Sequence, residues 1–157
     1  ENALLTCNYN VKIADFGFSR STVDSSGKAV RSETFCGSLS YVAPEILAGQ
    51  AYYPKRVDIW ALGVILYVML NQKMPFDEKN GRKLIKRQLS RDWRFRSSTA
   101  DKVSKECKSI LAKMLEPDIV QRATIDHVLE ANWFTADPKM QILTAAEQEA
   151  LDNARSQ

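Results

Sequence analysis

Residues 12–20, Lys12-Ile13-Ala14-Asp15-Phe16-Gly17-Phe18-Ser19-Arg20, and the later triplet Ala43-Pro44-Glu45 decide how this chain reads. Asp15-Phe16-Gly17 directly follows a short β-prone run, Val11 to Ala14, and Ala43 comes 26 residues after Gly17. Upstream, Ala3 to Thr6 is a second β-prone run, and Cys7-Asn8-Tyr9-Asn10 lies between the two, which predicts a hairpin. From Gly17 to Ser40 apolar periodicity disappears and Ser, Thr, Asp, Gly and Lys dominate. A loop of that length inside a compact domain is usually functional or mobile.

Helices take over beyond the loop. Pro44 suits a first helical turn, and Glu45 to Ala48 before Gly49 reads as a short helix with a glycine stop. Lys55 to Leu70 is apolar on nearly all sides, the pattern of a helix at a domain centre. Lys83 to Leu89 is a short amphipathic segment, and the group Arg82, Lys83, Lys86 and Arg87 at and just before it reads as a solvated face. Val103, Cys107, Ile110, Leu111, Met114 and Leu115 fall on one helical face. Thr124 to Ala131 is another short helix with Thr124 as N-cap, and Thr144 to Glu147 reads as a capping box. The chain turns polar after Trp133-Phe134, so the domain is expected to span 1–134, with a polar extension over 135–157.

Composition sets limits around these motifs. The 157 residues carry 22 Lys and Arg against 19 Asp and Glu, a net charge of +3, too small a surplus to imply nucleic acid or an acidic membrane as partner. At 45% hydrophobic, the chain can bury a core. The longest apolar run, Val57 to Leu70, covers 14 residues where a membrane span needs about 20. Cys7, Cys36 and Cys107 are widely spaced, and His127 alone cannot complete a metal site with them, which points to a reduced, cytoplasmic setting. His127 itself reads as a helix-surface residue.

Asp15-Phe16-Gly17 and Ala43-Pro44-Glu45 together bracket a Ser/Thr-rich loop and precede a buried helix that opens Asp58-x-Trp60-x-x-Gly63; Arg122 follows Leu115-Glu116-Pro117-Asp118. In that order and spacing they resemble the activation segment, about 15–45, and the following helices of Ser/Thr protein kinases. The stretches 34–38 (TFCGS), 54–70 (PKRVDIWALGVILYVML) and 114–126 (MLEPDIVQRATID) carry a finer resemblance to the calcium/calmodulin-kinase-like group, and within it to the testis-specific serine kinases. The fold implied is mainly α with one small antiparallel hairpin: the C-terminal lobe of a kinase, without the N-terminal lobe.

The resemblance also implies roles, residue by residue. Asp15 matches the carboxylate that holds Mg²⁺ on ATP, and Asn2 the amide of the second metal site. Leu4 matches the floor beneath adenine. Thr34 matches an activation-loop phosphosite, with Ser32 and Ser38 as neighbouring acceptors; a phosphate adds about −1.5 to −2 charge and can order a loop against an Arg. The usual Arg partner lies upstream of Asn2 in the family and is not expected in this chain. Ser38 matches the hydroxyl that touches the catalytic Asp. Phe35, Leu39 and Val42 match the wall that receives the residue after the acceptor, which implies an apolar residue there in protein substrates. Leu39 departs from the family's usual Pro. Glu1 matches a loop Glu that meets a substrate Arg in basophilic members, while Val68 stands where some carry a second acid. Phe18 resembles the bulky residue that goes with Ser over Thr as acceptor. Asp58 matches the residue that holds the catalytic-loop backbone; inside an apolar helix its carboxylate is expected to be hydrogen-bonded. Glu45 and Arg122 match a buried ion pair.

Some parts the resemblance calls for are not in the sequence. The acceptor-orienting Asp would lie five residues before Asn2, upstream of Glu1, and no Gly-x-Gly-x-x-Gly occurs. The chain is therefore expected to be an incomplete piece of an ATP- and Mg²⁺-dependent Ser/Thr kinase, inactive alone, acted on by an upstream activating kinase. The alternative is a non-catalytic half-kinase used for binding or regulation, with apolar surface left exposed.

Overall fold

The computed structural model describes residues 2–7, 10–34 and 37–136, with 145, 146, 149, 152 and 153. Strands β1 (Ala3–Leu5) and β2 (Val11–Ile13) pair antiparallel in the register Ala3↔Ile13, Leu4↔Lys12, Leu5↔Val11. Helices follow: α1 (Pro44–Leu47), α2 (Pro54–Asn71), α3 (Gly81–Leu89), α4 (Ser97–Ala100), α5 (Lys105–Met114), α6 (Ile125–Leu129) and α7 (Asn132–Thr135). The described residues are thus mainly helical with one two-stranded sheet, as the sequence predicts. Helix α4 and a 3₁₀ turn at Leu39–Tyr41 were not anticipated. The capping box expected at Thr144 lies outside the described residues.

Local chemistry explains most of the helix ends. Pro44 and Pro54 open α1 and α2, where a missing N–H costs nothing. Gly49 follows α1 with φ +67°, a conformation glycine adopts without strain. Ser104 caps α5 by accepting from the Cys107 N–H at 3.2 Å, so Val103 stays outside the helix. Thr124 caps α6, and His127 completes a reciprocal capping box: Thr124 Oγ1 accepts from the His127 N–H at 3.2 Å, while His127 Nδ1 accepts from the Thr124 N–H at 3.3 Å.

The core lies between α2 and α5. Trp60, Val64, Leu111 and Leu115 are all but sealed from solvent, and Trp60 stacks on Phe76 at 5.8 Å between ring centroids. Gly63 lets the two helices touch. A Cβ there would stand 3.0 Å from both Leu115 Cδ2 and Met114 Cβ. Helix α2, apolar on nearly all sides, has the burial of a helix at a domain centre on one side only: Leu62, Ile65 and Met69 form an exposed face, Met69 at 73%. Burial on one side and exposure on the other is compatible with a uniformly apolar sequence, which carries no phase. No described helix is long and apolar enough to cross a membrane.

Candidate active site and activation segment

The hairpin places an amide opposite a carboxylate. The Ala14 N–H donates to the Asn2 carbonyl at 2.8 Å, extending the strand ladder by one step. That step sets Asn2 beside Asp15, and Asn2 Nδ2 stands 3.4 Å from Asp15 Oδ2 although 13 positions separate them. Asp15 adopts φ +63°, a left-handed conformation that Asp tolerates better than most residues and that tends to collect at functional sites. Its Oδ1 accepts from the Gly17 N–H at 3.1 Å, leaving Oδ2 towards Asn2. Both side chains are exposed. So are Leu4, Val11, Ile13 and Phe16, Leu4 at 54%.

The long loop is more ordered than its composition suggests. Asp24 Oδ1 accepts from the Ser26 N–H, the Ser26 hydroxyl and the Lys28 N–H at 2.8, 2.6 and 3.0 Å. The Ser26 hydroxyl, helped by the two backbone N–H groups, holds the Asp24 carboxyl below its ordinary pKa. Val23 and Ala29 bridge across this turn.

Thr34 sits in a three-residue clamp. Arg20 Nη2 donates to Thr34 Oγ1 at 3.1 Å, and Arg20 Nη1 donates to the Ser32 hydroxyl. The Tyr52 phenol donates to the Thr34 carbonyl at 2.7 Å, and the Ser32 and Tyr52 backbones exchange hydrogen bonds of 2.8 and 2.9 Å. Arg20 thus faces Thr34 within this chain, a partner distinct from the family's upstream Arg. Ser32, 4% exposed with its hydroxyl engaged, is no open acceptor, whereas Thr34 and Ser38 are exposed.

Downstream, Leu39 is half-buried and Val42 buried. Glu1 and Phe35 lie outside the described residues. A cleft of about 380 Å³ opens between the loop and α2, walled by Phe18, Arg20, Ser38, Val42, Tyr52 and Asp58. Asp58 is exposed there and takes no hydrogen bond from a described residue, so the expected partner is not seen. The cost of an isolated buried carboxylate does not arise, because the group reaches water. Partial burial in the cleft still pushes its pKa above the ordinary aspartate value. A larger cleft, about 730 Å³, lies between α5 and the α6–α7 corner; it holds none of the motif residues, and its wall mixes Lys105 and Lys113 with Glu106 and Glu130.

Glu45 and Arg122 make a buried bidentate pair. Arg122 Nη1 and Nη2 donate to Glu45 Oε1 and Oε2 at 2.7 and 2.8 Å, with the two side chains 0% and 3% exposed. Arg122 Nε donates to the Glu116 carbonyl at 2.8 Å and Nη1 to the Arg56 carbonyl at 3.1 Å, while the guanidinium lies over the Trp60 ring at 5.1 Å. This chain of contacts ties the end of the loop to the core that α2 and α5 build.

The order of elements, the Asp-Phe-Gly turn beside an amide, the clamped loop and the buried Glu–Arg pair together define a protein-kinase fold. In agreement, a family model described as protein kinase domain matches residues 1–134, and the chain belongs to that family. Its curated relatives include mouse testis-specific serine/threonine-protein kinase 1, 42% identical over 134 residues (85% of this chain, 36% of the relative). Mouse testis-specific serine/threonine-protein kinase 2 is 41% identical over 147 residues (93% and 40%), and human testis-specific serine/threonine-protein kinase 3 is 38% identical over 136 residues (87% and 48%). The chain therefore spans less than half the length of these relatives.

Arg20, Tyr52, Gln88 and His127 were not singled out from sequence for the contacts they make. Only His127 had a local signal, its place three residues after a Thr N-cap.

Proposed function

We propose that the chain is the C-terminal-lobe portion of a kinase that transfers the γ-phosphoryl group of Mg-ATP to serine or threonine in protein substrates. The observation that carries this reading is the Asn2–Asp15 pair, an amide and a carboxylate 3.4 Å apart at the mouth of a hairpin. Hard oxygen donors suit Mg²⁺, which is usually bound by one or two protein ligands with phosphates and waters completing the shell. The donor set fits that mode: the Asp15 carboxylate and the Asn2 side-chain carbonyl are exposed oxygen donors for two positions of such a shell. Asp15 and Asn2 would hold Mg²⁺ on the nucleotide, where the ion neutralises charge on the transferring phosphoryl group. Leu4, exposed on β1, would lie beneath adenine.

On this reading Ser38, Leu39 and Val42 meet the substrate around the acceptor hydroxyl, and Asp58 anchors the catalytic loop from across the cleft. Thr34 is the phosphosite that tunes the segment. Arg20 is already within hydrogen-bond reach of the Thr34 hydroxyl, and a phosphate there would convert that contact into a charge-assisted one. An upstream activating kinase would supply that phosphate, and the exposure of Thr34 leaves it within reach of one. The 157 residues contain no Gly-x-Gly-x-x-Gly, so by themselves they should catalyse no transfer.

The test uses the full-length protein with Mg-ATP and peptides that differ only in Ser, Thr or Tyr as acceptor. Phosphate on Ser or Thr peptides, abolished by Asp15→Ala in a protein that still melts cooperatively, is the expected result. Transfer that survives Asp15→Ala would contradict the assignment.

A further inference from the structure

Val42 is held from two directions. Its N–H donates to the Leu39 carbonyl at 3.3 Å, which closes the 3₁₀ turn. Its own carbonyl accepts from Gln88 Nε2 at 2.9 Å, across 46 positions of sequence. Gln88 lies on the inner face of α3, 1% exposed. One turn earlier on the same face, Leu84 belongs to the main core cluster, against which Leu39 and Tyr41 also pack.

As core filling, an amide is a poor choice at this place. Gln88 Oε1 has no hydrogen-bond partner among the described residues, and a buried acceptor left unmade carries a desolvation penalty. A Met side chain would fill similar volume without it. What the amide supplies is direction. It is the side-chain hydrogen bond that reaches the backbone of 38–43 from α3, and it fixes the peptide plane at Val42 just before the segment passes into α1 and the Glu45–Arg122 pair.

We propose that Gln88 is a specificity-determining positioning residue: by holding the Val42 carbonyl it sets the wall that selects an apolar residue immediately after the phosphoacceptor. The proposal rests on the reading of Leu39 and Val42 as that wall. Gln88 touches neither nucleotide nor acceptor, so its loss should alter which peptides bind well rather than the rate of transfer once they are bound.

The experiment compares the full-length protein with its Gln88→Met and Gln88→Glu variants on two peptides identical except for Leu or Gly after the acceptor Ser. The wild type should prefer the Leu peptide. In Gln88→Met that preference, as a ratio of kcat/KM, should fall about 5-fold or more through the KM of the Leu peptide, with kcat and the KM for ATP unchanged. Gln88→Glu sets a carboxylate against the Val42 carbonyl and should fall further. Hydrogen exchange of the amides over 38–43 should quicken in both variants. A preference that Gln88→Met keeps, at wild-type exchange rates, overturns the role of Gln88 alone. An equal loss on both peptides also overturns it, since that is what a purely structural residue would give. A wild type indifferent to Leu or Gly overturns the wall itself, and the proposal with it.

Discussion

Asp15 and Glu45 are both carboxylates set opposite a nitrogen donor, one on an exposed hairpin, the other 4% exposed in the core. Glu45 has a full partner: two charge-assisted hydrogen bonds to Arg122, whose remaining donors go to backbone carbonyls and whose flat face covers Trp60. Asp15 has half of one: a 3.4 Å approach to an amide and a backbone N–H, with its surroundings open. Saturated and buried, the first holds loop to core. Exposed and with hydrogen-bonding capacity to spare, the second is the carboxylate to which the proposed function assigns a ligand.

If that division is right, breaking the buried pair should cost the most. Glu45→Gln leaves the Arg122 charge buried without a counter-charge and should lower unfolding free energy by about 3–5 kcal/mol, read from urea melts. Gly63→Ala pushes a methyl group into Leu115 and Met114 and should cost about 1–3 kcal/mol. Asp58 sharpens the contrast through pH. Burial raises its pKa above 3.8 in the folded state, so the folded protein holds that proton more tightly than the unfolded chain and loses stability as pH rises through the interval. Asp58→Asn removes the loss. In the 157-residue chain the variant should out-melt the parent at pH 7 and lose its advantage below pH 3.8. Asp15→Ala should cost about 1 kcal/mol, since alanine fits φ +63° poorly and the bond to the Gly17 N–H is lost; smallest of all, Asn2→Ala should change stability by no more than about 0.5 kcal/mol, because exposed positions outside the core rarely do more.

Features set by neighbours in sequence were legible in advance. The Pro44 start and Gly49 stop of α1, the Thr124 cap, the inward face of α5 and the two strands of the hairpin all follow from residues within a turn or two of each other. The Glu45–Arg122 pair, 77 positions apart, was reached through a family resemblance and then found as a bidentate contact. Contacts lacking such a guide went unseen. Arg20 to Thr34, Tyr52 to Thr34 and Gln88 to Val42 join residues 14, 18 and 46 positions apart, and no periodicity links them. The setting of Asp58 has a related reason: an apolar run shows that a helix is largely buried but not which side, and Asp58 is on the side that opens to the cleft. The exposed Leu62, Ile65 and Met69 carry the same lesson.

On the function proposed above, Asn2 and Asp15 together grip Mg²⁺-bound nucleotide. Titrating ATP into the full-length protein with and without Mg²⁺, for the parent and for Asp15→Ala, tests it most directly. Mg²⁺ should tighten ATP binding to the parent, and Asp15→Ala should lose the Mg²⁺-dependent part, with Asn2→Ala losing a share of it, while all three proteins stay folded and melt cooperatively. Equal Mg²⁺ enhancement in parent and Asp15→Ala would contradict it.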